Sequence, residues 1–335
     1  MKFTIIGGGI TGLYIGYLLK LANIDFVIYE KSDVLGGKIT NQKIFNNYIK
    51  YQIYPHNKHI LELLVKLDIP IQPTQLIIKQ SNINKELFNK IKQLYDTNPI
   101  SNIITNDYLQ NILSDTEYNY MIDLLSDTHL EQYEISTYMK YHHMQLISNS
   151  EAEYQYDIDY TLIEKLFTEI KDNIYTNHEV QEITHMPLTN NYLLKINDNL
   201  LNVDKLILTT NFNIKLNINS NIINQFTKIK SYNYYKYIIQ TNNKLFYPNY
   251  TLKQNSKNII SNFESNINYR YIRWNNAYHV NQSIINYDFY IDYGLILAIH
   301  PYLNNLEGSC LAALNTLSII QKNIYSKRSE YLYKY

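Results

Sequence analysis

Phe3-Thr4-Ile5-Ile6-Gly7-Gly8-Gly9-Ile10-Thr11-Gly12 stands at the start of the chain and decides how the rest is read. Phe3 to Ile6 is a short apolar run of the kind a fully buried strand shows. Gly7 to Gly12 spells G-x-G-x-x-G, and Leu13 to Leu21 continues as an apolar helix. A second strand, Asp25-Phe26-Val27-Ile28-Tyr29, ends on Glu30, 23 residues after Gly7. Strand, glycine turn, helix, strand and terminal acid in this register predict a dinucleotide-binding βαβ unit. Gly7 permits the tight turn, Gly9 lets backbone approach a pyrophosphate, and Gly12 lets the helix pack on the strand. Ile10 and Thr11 begin the helix, whose unpaired N–H groups and dipole favour phosphate. Glu30 stands where a carboxylate accepts hydrogen bonds from ribose hydroxyls.

The same stretch is apolar enough to raise a signal peptide or a membrane helix. Gly7, Gly8, Gly9, Gly12 and Gly16 argue against both, since each glycine costs a helix about 1 kcal/mol relative to alanine. A basic leader beyond Lys2 and a small-residue cleavage site are lacking, and no other window approaches the length of a span. The expectation is a soluble, cytoplasmic protein.

Composition narrows the classes further. The 335 residues carry 30 Lys+Arg against 30 Asp+Glu, a balance that argues against a sequence-independent nucleic-acid binder. One cysteine, Cys310, excludes an intrachain disulfide framework and a Cys-based zinc site. The nine histidines fall in no metal-binding helical pattern, so no metal is expected. Ile (50), Asn (44) and Tyr (35) are in excess while Arg appears three times, a skew that exchanges residues within physical classes. The hydrophobic share stays at 45%, enough for one large domain or two.

Directly after Glu30 comes Lys31-Ser32-Asp33-Val34-Leu35-Gly36-Gly37-Lys38-Ile39-Thr40. Here the chain resembles the FAD-dependent amine oxidase superfamily, which includes monoamine and polyamine oxidases and is related to protoporphyrinogen oxidases. In that family the ribose-binding acid precedes a short linker and Gly-Gly-Arg, whose amides and charge meet the pyrophosphate. Lys38 occupies the arginine position, retaining charge but losing the planar fork. The resemblance therefore implies FAD as cofactor, with Lys31, Gly36, Gly37 and Lys38 beside it. It also implies an α/β fold: a discontinuous Rossmann-like FAD-binding domain with an α+β substrate domain.

Three more segments extend the likeness. Asn177 to Ile183 resembles the family strand in which the residue at Val180 meets the adenine through its backbone. Asp204 to Thr210 resembles the strand that returns to the nucleotide domain. Asn305-Leu306-Glu307-Gly308-Ser309-Cys310 resembles the start of the last helix, which implies Leu306 and Glu307 near the flavin ring. In the substrate half, Lys236 on the strand-like run Tyr235 to Thr241, followed by Phe246, matches the family's lysine and its later aromatic. The resemblance makes Lys236 the catalytic residue, and the alternative is an exposed strand lysine. Trp274, within Arg273-Trp274-Asn275-Asn276-Ala277-Tyr278, resembles an aromatic segment before the last flavin strand.

Departures gather at the flavin end. Ile53-Tyr54-Pro55-His56 stands where relatives have a glycine, and Leu297-Ala298-Ile299-His300 where they read Phe-Ala-Gly-Glu. The chain is also short for an amine oxidase. The implied organisation assigns 1–70, 155–212 and 280–325 to the FAD domain, and 71–154 with 213–279 to the substrate domain. The implied function is an FAD-dependent oxidoreductase taking a hydride from a C–N or C–C bond of a small amine- or porphyrinogen-like molecule. Its competitor is a flavin-fold binding or scaffold protein with little or no turnover. An NAD dehydrogenase leaves Gly36-Gly37-Lys38 unexplained.

Overall fold

A computed structural model describes residues 2–44, 47–75, 82–99, 103–124, 134–139, 154–210, 214–218, 230–241, 244–246, 268–280, 290–291, 294–298 and 306–332. The opening residues form strand β1 (Lys2–Ile6), helix α1 (Ile10–Leu21) and strand β2 (Asp25–Tyr29). Strands β3 (Lys43–Ile44), β4 (Asn47–Tyr48) and β5 (Tyr51–Ile53) lead to helix α2 (Lys58–Lys66) and strand β6 (Pro73–Gln75). A helical stretch follows: α3 (Asn82–Thr97), α4 (Thr105–Ile112), α5 (Asp115–Leu124) and the single turn α6 (Ile135–Thr137). Strand β7 (Tyr154–Ile158), helix α7 (Thr161–Ile170) and strand β8 (Ile174–Tyr175) come next. A meander of β9 (Val180–Met186), β10 (Asn191–Ile196) and β11 (Asn199–Val203) precedes β12 (Lys205–Leu208) and β13 (Lys215–Asn217). The chain then runs through β14 (Lys230–Thr241), β15 (Lys244–Phe246), β16 (Asn268–Val280), β17 (Tyr290–Ile291) and β18 (Leu295–Leu297) to helix α8 (Leu306–Leu332).

Among the described residues, six strands form one sheet in the order β17-β18-β12-β1-β2-β8. From β18 to β8 the pairings are parallel, with Ile5 opposite Ile28 on one side and Ile207 on the other. Parallel neighbours need a crossover, and α1 supplies the one between β1 and β2. Alternate residues then serve opposite faces of the sheet. Phe3, Ile5, Phe26, Ile28, Ile207 and Ile296 belong to the core shared with α1, α7 and α8. Ile6, Leu206, Leu208, Leu295 and Leu297 belong to a second core shared with the β9–β11 meander. Both faces are covered, which is why these strands read as unbroken apolar runs rather than alternating ones. Each fully buried aliphatic side chain contributes about 1.5–3 kcal/mol.

The sheet thus draws strands from residues 2–29, 174–208 and 290–297, so this layer is discontinuous in sequence. Helices α3 to α6 close on a separate core that includes Phe88, Ile91, Leu109, Met121 and Tyr138. The sequence pattern places a helix over 87–95, whereas α3 starts at Asn82, because helical hydrogen bonding needs no apolar residue in its first turn. Ser114 and Glu117 form a capping box at the start of α5, with Lys90 bonded to the same carboxylate at 2.7 Å. The sequence reads as strands over 232–239 and 269–274; in the structure these are longer, and pair antiparallel as β14 and β16 with an irregularity between Tyr232 and Tyr234. The run 211–224, dense in Asn and Ile, reads from the sequence as a crossover between the two halves, and lies mostly outside the described residues.

Candidate functional site

The glycine turn is built by backbone contacts that side chains would block. Gly7 has φ +114°, a conformation strained for any residue with a Cβ, and its N–H donates to Tyr29 O at 2.9 Å. Gly12 lies over that turn: a Cβ there would stand 2.0 Å from Gly7 O. Thr209, just past β12, clamps the turn from the other side, its hydroxyl donating to Ile6 O at 2.9 Å and lying 3.2 Å from Gly7 O. Gly9 precedes α1, which begins at Ile10, buried, and Thr11, half-buried; Leu13 N–H donates to Gly9 O at 3.0 Å.

The second glycine pair is seated against the first. Gly36 N–H donates to Gly8 O at 2.8 Å, and Gly9 and Gly36 form an isolated parallel bridge. A Cβ on Gly37 would stand 3.3 Å from Gly9 Cα, whereas one on Gly9 would meet nothing closer than Gly37 Cα at 4.0 Å. Gly9 is therefore the place where the double turn opens outward from the start of α1. That is a cradle a side chain would fill, and the residues present fit the pyrophosphate of a dinucleotide. Lys38 follows directly. Its backbone carbonyl accepts from the Tyr51 hydroxyl, its side chain is part-covered, and burial lowers its ammonium to about 8. Lys31 is exposed.

Glu30 does more than the sequence suggests. Its carboxylate accepts from Gly8 N–H at 2.6 Å and from Ser32 N–H at 2.9 Å, joining the end of β2 to the glycine turn. Its backbone is bonded to the end of β8 and the segment after it: Glu30 N–H donates to Tyr175 O, and His178 N–H donates to Glu30 O. Asn177, at φ +57°, turns the chain there so that β9 starts at Val180, which is buried in the second core. The structure thereby brings Val180, predicted by resemblance, into the segment that begins two residues beyond this contact. No local sequence signal announces the Glu30–Gly8 bond, since it depends on how the turn folds back.

Helices α1 and α8 follow β1 and β18, strands that run parallel in one sheet, so both begin at its carboxyl edge. Tyr14, Glu62 and Cys310 are the fifth residues of α1, α2 and α8. Burial pushes the Tyr14 hydroxyl up to about 12, with Cys310 and then Glu62 adding to the shift. Glu307 ties the second and third helix starts to each other. Its carboxylate accepts from His59 N–H and Ile60 N–H at 3.1 Å and lies 2.8 Å from His59 Nδ1. The local residue Asn57 is turned away, accepting from Tyr54 N–H at 2.8 Å, so Glu307 caps α2 from 248 residues along the chain. Leu306, half-buried against the first core, begins α8. Cys310 is fully buried, and burial followed by Glu307 pushes its thiol upward. His59 escapes sequence reasoning because its partner is so distant.

In the other half, Lys236 lies in β14 with its backbone opposite Ile272, and Phe246 in β15 opposite Ile239. Trp274 lies opposite Tyr234. His300 falls outside the described residues. Among the described residues no group of three or more His, Cys, Asp or Glu side chains could hold a metal, and no helix is long and apolar enough to cross a membrane.

Residues 5–62 match the family model of an NAD(P)-binding Rossmann-like domain. An oxidoreductase from Methanosarcina mazei is similar in structure at 13% identity and a TM-score of 0.64, covering 95% of this chain and 100% of that one. A candidate protoporphyrinogen oxidase from Exiguobacterium sp. 255-15 is similar at 12% identity and 0.60, over 96% and 99% of the two chains. Wild-type putrescine oxidase bound to putrescine is similar at 11% identity and 0.57, over 71% and 66%. The fold is the one these three oxidoreductases share. The chain spans just under two thirds of the putrescine oxidases it matches, while it covers nearly the whole of the other two proteins. No curated protein sequence matches it.

Proposed function

We propose that this chain is an FAD-dependent oxidoreductase that takes a hydride from a C–N bond, or a C–C bond, of a small molecule. The observation that carries the reading is the double glycine turn, in which Gly36-Gly37 is hydrogen-bonded to Gly8 and opens at Gly9 beside the start of α1. A single glycine turn serves any dinucleotide, whereas a second one locked to it and followed by Lys38 is similar to the Gly-Gly-basic segment of the FAD-binding family that the sequence resembles. The amides of Ile10 and Thr11, with Gly36, Gly37 and Lys38, would hold the pyrophosphate. Glu30 keeps lone pairs for the ribose, Val180 and Lys31 flank the adenosine, and Leu306 presents the start of α8 to the ring system. Bound FAD would supply the two-electron acceptor. Lys236 is the residue assigned to the oxidative half-reaction, and amine- or porphyrinogen-like molecules are the substrates assigned to the 71–154 and 213–279 half.

The visible absorption spectrum of the purified protein tests this reading. Flavin bands, present as isolated or after reconstitution with FAD, are the expected result, and their absence in both preparations sinks it. One observation favours the scaffold reading: Glu307 is committed to α2 and His59 rather than directed outward as a ligand. If flavin binds but putrescine, benzylamine and porphyrinogen all fail to reduce it without oxygen, the scaffold reading replaces the enzyme.

A further inference from the structure

Resting on the oxidoreductase reading above, we propose that His59 is the proton-accepting side chain of this site, and that Glu307 is its positioning residue rather than a ligand of the cofactor. The reductant is then a donor that loses a proton from nitrogen or oxygen as it loses hydride from carbon. Amines and alcohols belong to this class, and simple C–C desaturation does not.

The geometry behind this begins with Glu307. A helix cap needs only the backbone contacts, and His59 N–H and Ile60 N–H provide them at 3.1 Å. The same carboxylate also meets His59 Nδ1 at 2.8 Å, which a cap does not require. Because a carboxylate oxygen accepts, Nδ1 is the donor in this contact, and when the ring carries a single proton Nε2 is left as the acceptor. The ring is thereby fixed in tautomer and orientation, the role a carboxylate plays behind a catalytic imidazole. The pair is placed for use: the His59 side chain is 33% exposed while that of Glu307 is 13% exposed, so the imidazole is the outward partner.

Its position in the fold points the same way. His59 is the second residue of α2 and Glu307 the second of α8; α1 and α8 follow β1 and β18, parallel strands of one sheet, so both begin at its carboxyl edge, and the bonds from His59 and Ile60 to Glu307 bring the start of α2 there. The glycine turn sits at the start of α1, so the pair lies on the end of the fold where three helix N-termini favour electron-rich groups. A base at this end has a defined task. An ammonium or alcohol donor would pass its N–H or O–H proton to Nε2, and FAD, when bound, would supply the acceptor for the C–H electron pair as hydride. The heteroatom's electrons would form the new double bond, giving an iminium or a carbonyl. The donor would thus lose two electrons to that acceptor, and His59 would hold the proton.

The test uses holoprotein mixed without oxygen with putrescine, benzylamine or benzyl alcohol while flavin bleaching is followed. At least one donor bleaches the wild-type flavin, and His59→Asn slows that bleaching by about 10²–10⁴-fold. Flavin content and bleaching by dithionite stay at wild-type levels in the variant, whose backbone N–H still meets Glu307. A merely structural histidine would change flavin content or melting and leave the rate per bound flavin alone. An unchanged rate in His59→Asn overturns the proposal, as does a wild-type flavin that none of the three donors bleaches. Ring ¹⁵N resonances of flavin-free protein supply a check that needs no cofactor: Nδ1 protonated and Nε2 bare at His59, a preference lost in Glu307→Gln. A wild-type His59 protonated at Nε2 overturns the pairing by itself. If the resonances are as expected but no FAD binds, the oxidoreductase reading is what has failed, and the proton role falls with it.

Discussion

The carboxylate of Glu30 accepts a hydrogen bond from the backbone N–H of Gly8 at 2.6 Å, closing the end of the second strand onto the glycine turn that follows the first. The second oxygen holds Ser32 N–H at 2.9 Å. Glu30→Gln keeps the shape but turns an NH₂ group toward one of these donors. A part-buried N–H facing another donor costs about 1–3 kcal/mol. The midpoint of urea unfolding should fall accordingly, and FAD retention on gel filtration should fall with it. A variant with the wild-type midpoint would show that the clasp contributes nothing to the turn.

Gly12 is the least replaceable residue of the motif. The nearest atom to an added Cβ is the Gly7 carbonyl oxygen at 2.0 Å, a backbone atom that cannot rotate aside. Gly12→Ala forces α1 away from the turn and should destabilise the fold by about 1–3 kcal/mol, the usual cost of overpacking. Gly9→Ala, whose Cβ meets nothing nearer than 4.0 Å, should melt close to wild type while losing FAD. Differential scanning calorimetry separates the two, and equal melting losses would contradict the assignment of Gly9 to the cradle.

Burial lowers Lys38 to about 8, below the 10.5 of an unfolded chain. Between these values the unfolded state binds more protons than the folded one, so this group makes stability rise with pH across that window. Its burial therefore costs the fold most at neutral pH. Lys38→Met should be more stable than wild type at pH 7 in the absence of cofactor, with the difference shrinking as pH rises from about 8 toward 10.5. Chemical denaturation at pH 7, 9 and 10 measures this, and a pH-independent difference would refute it.

Cys310 is fully buried and its thiol is pushed upward by burial, with Glu307 adding to the effect. Thiolate is the reactive form, so the native protein should resist a thiol reagent at pH 8 and release one equivalent of reaction in urea. Rapid labelling of the folded protein would mean that α8 opens from α1.

Lys236, in the middle strand of the β15-β14-β16 sheet, carries the assigned oxidative role. With flavin bound, Lys236→Met should slow reoxidation of the reduced protein by oxygen about 100-fold or more, the span of a lost proton- or water-positioning group. Stopped-flow mixing with aerated buffer reads this directly. Wild-type reoxidation in the variant would return Lys236 to an ordinary strand residue.

Much of this was legible before any folding was considered, and for physical reasons. Phe3 to Glu30 could be read because strand burial, helix continuity and glycine turns each impose a local pattern of residue types. Gly36-Gly37-Lys38 could be read because backbone approach to a phosphate tolerates few side chains, even in a chain rich in Ile, Asn and Tyr. Lys236 and Trp274 were found by resemblance alone, since antiparallel strands with ordinary side chains carry no spacing of their own.

The sequence by itself determined two glycine turns, a helix start behind the first and an acid at the end of the second strand, since backbone conformation and helix starts are properties of short segments. Only the tertiary structure decided how those segments meet: Gly36 on Gly8, Glu30 on the amide of Gly8, Thr209 against Gly7, and Glu307 on His59. These contacts join residues separated by 22 to 248 positions, and no periodicity encodes them. They form because both faces of the parallel sheet must be buried, which packs α8 against both α1 and α2. Glu307 shows the difference most clearly. In sequence it is an acid at the start of the last helix, and in the fold it caps another helix and orients a histidine.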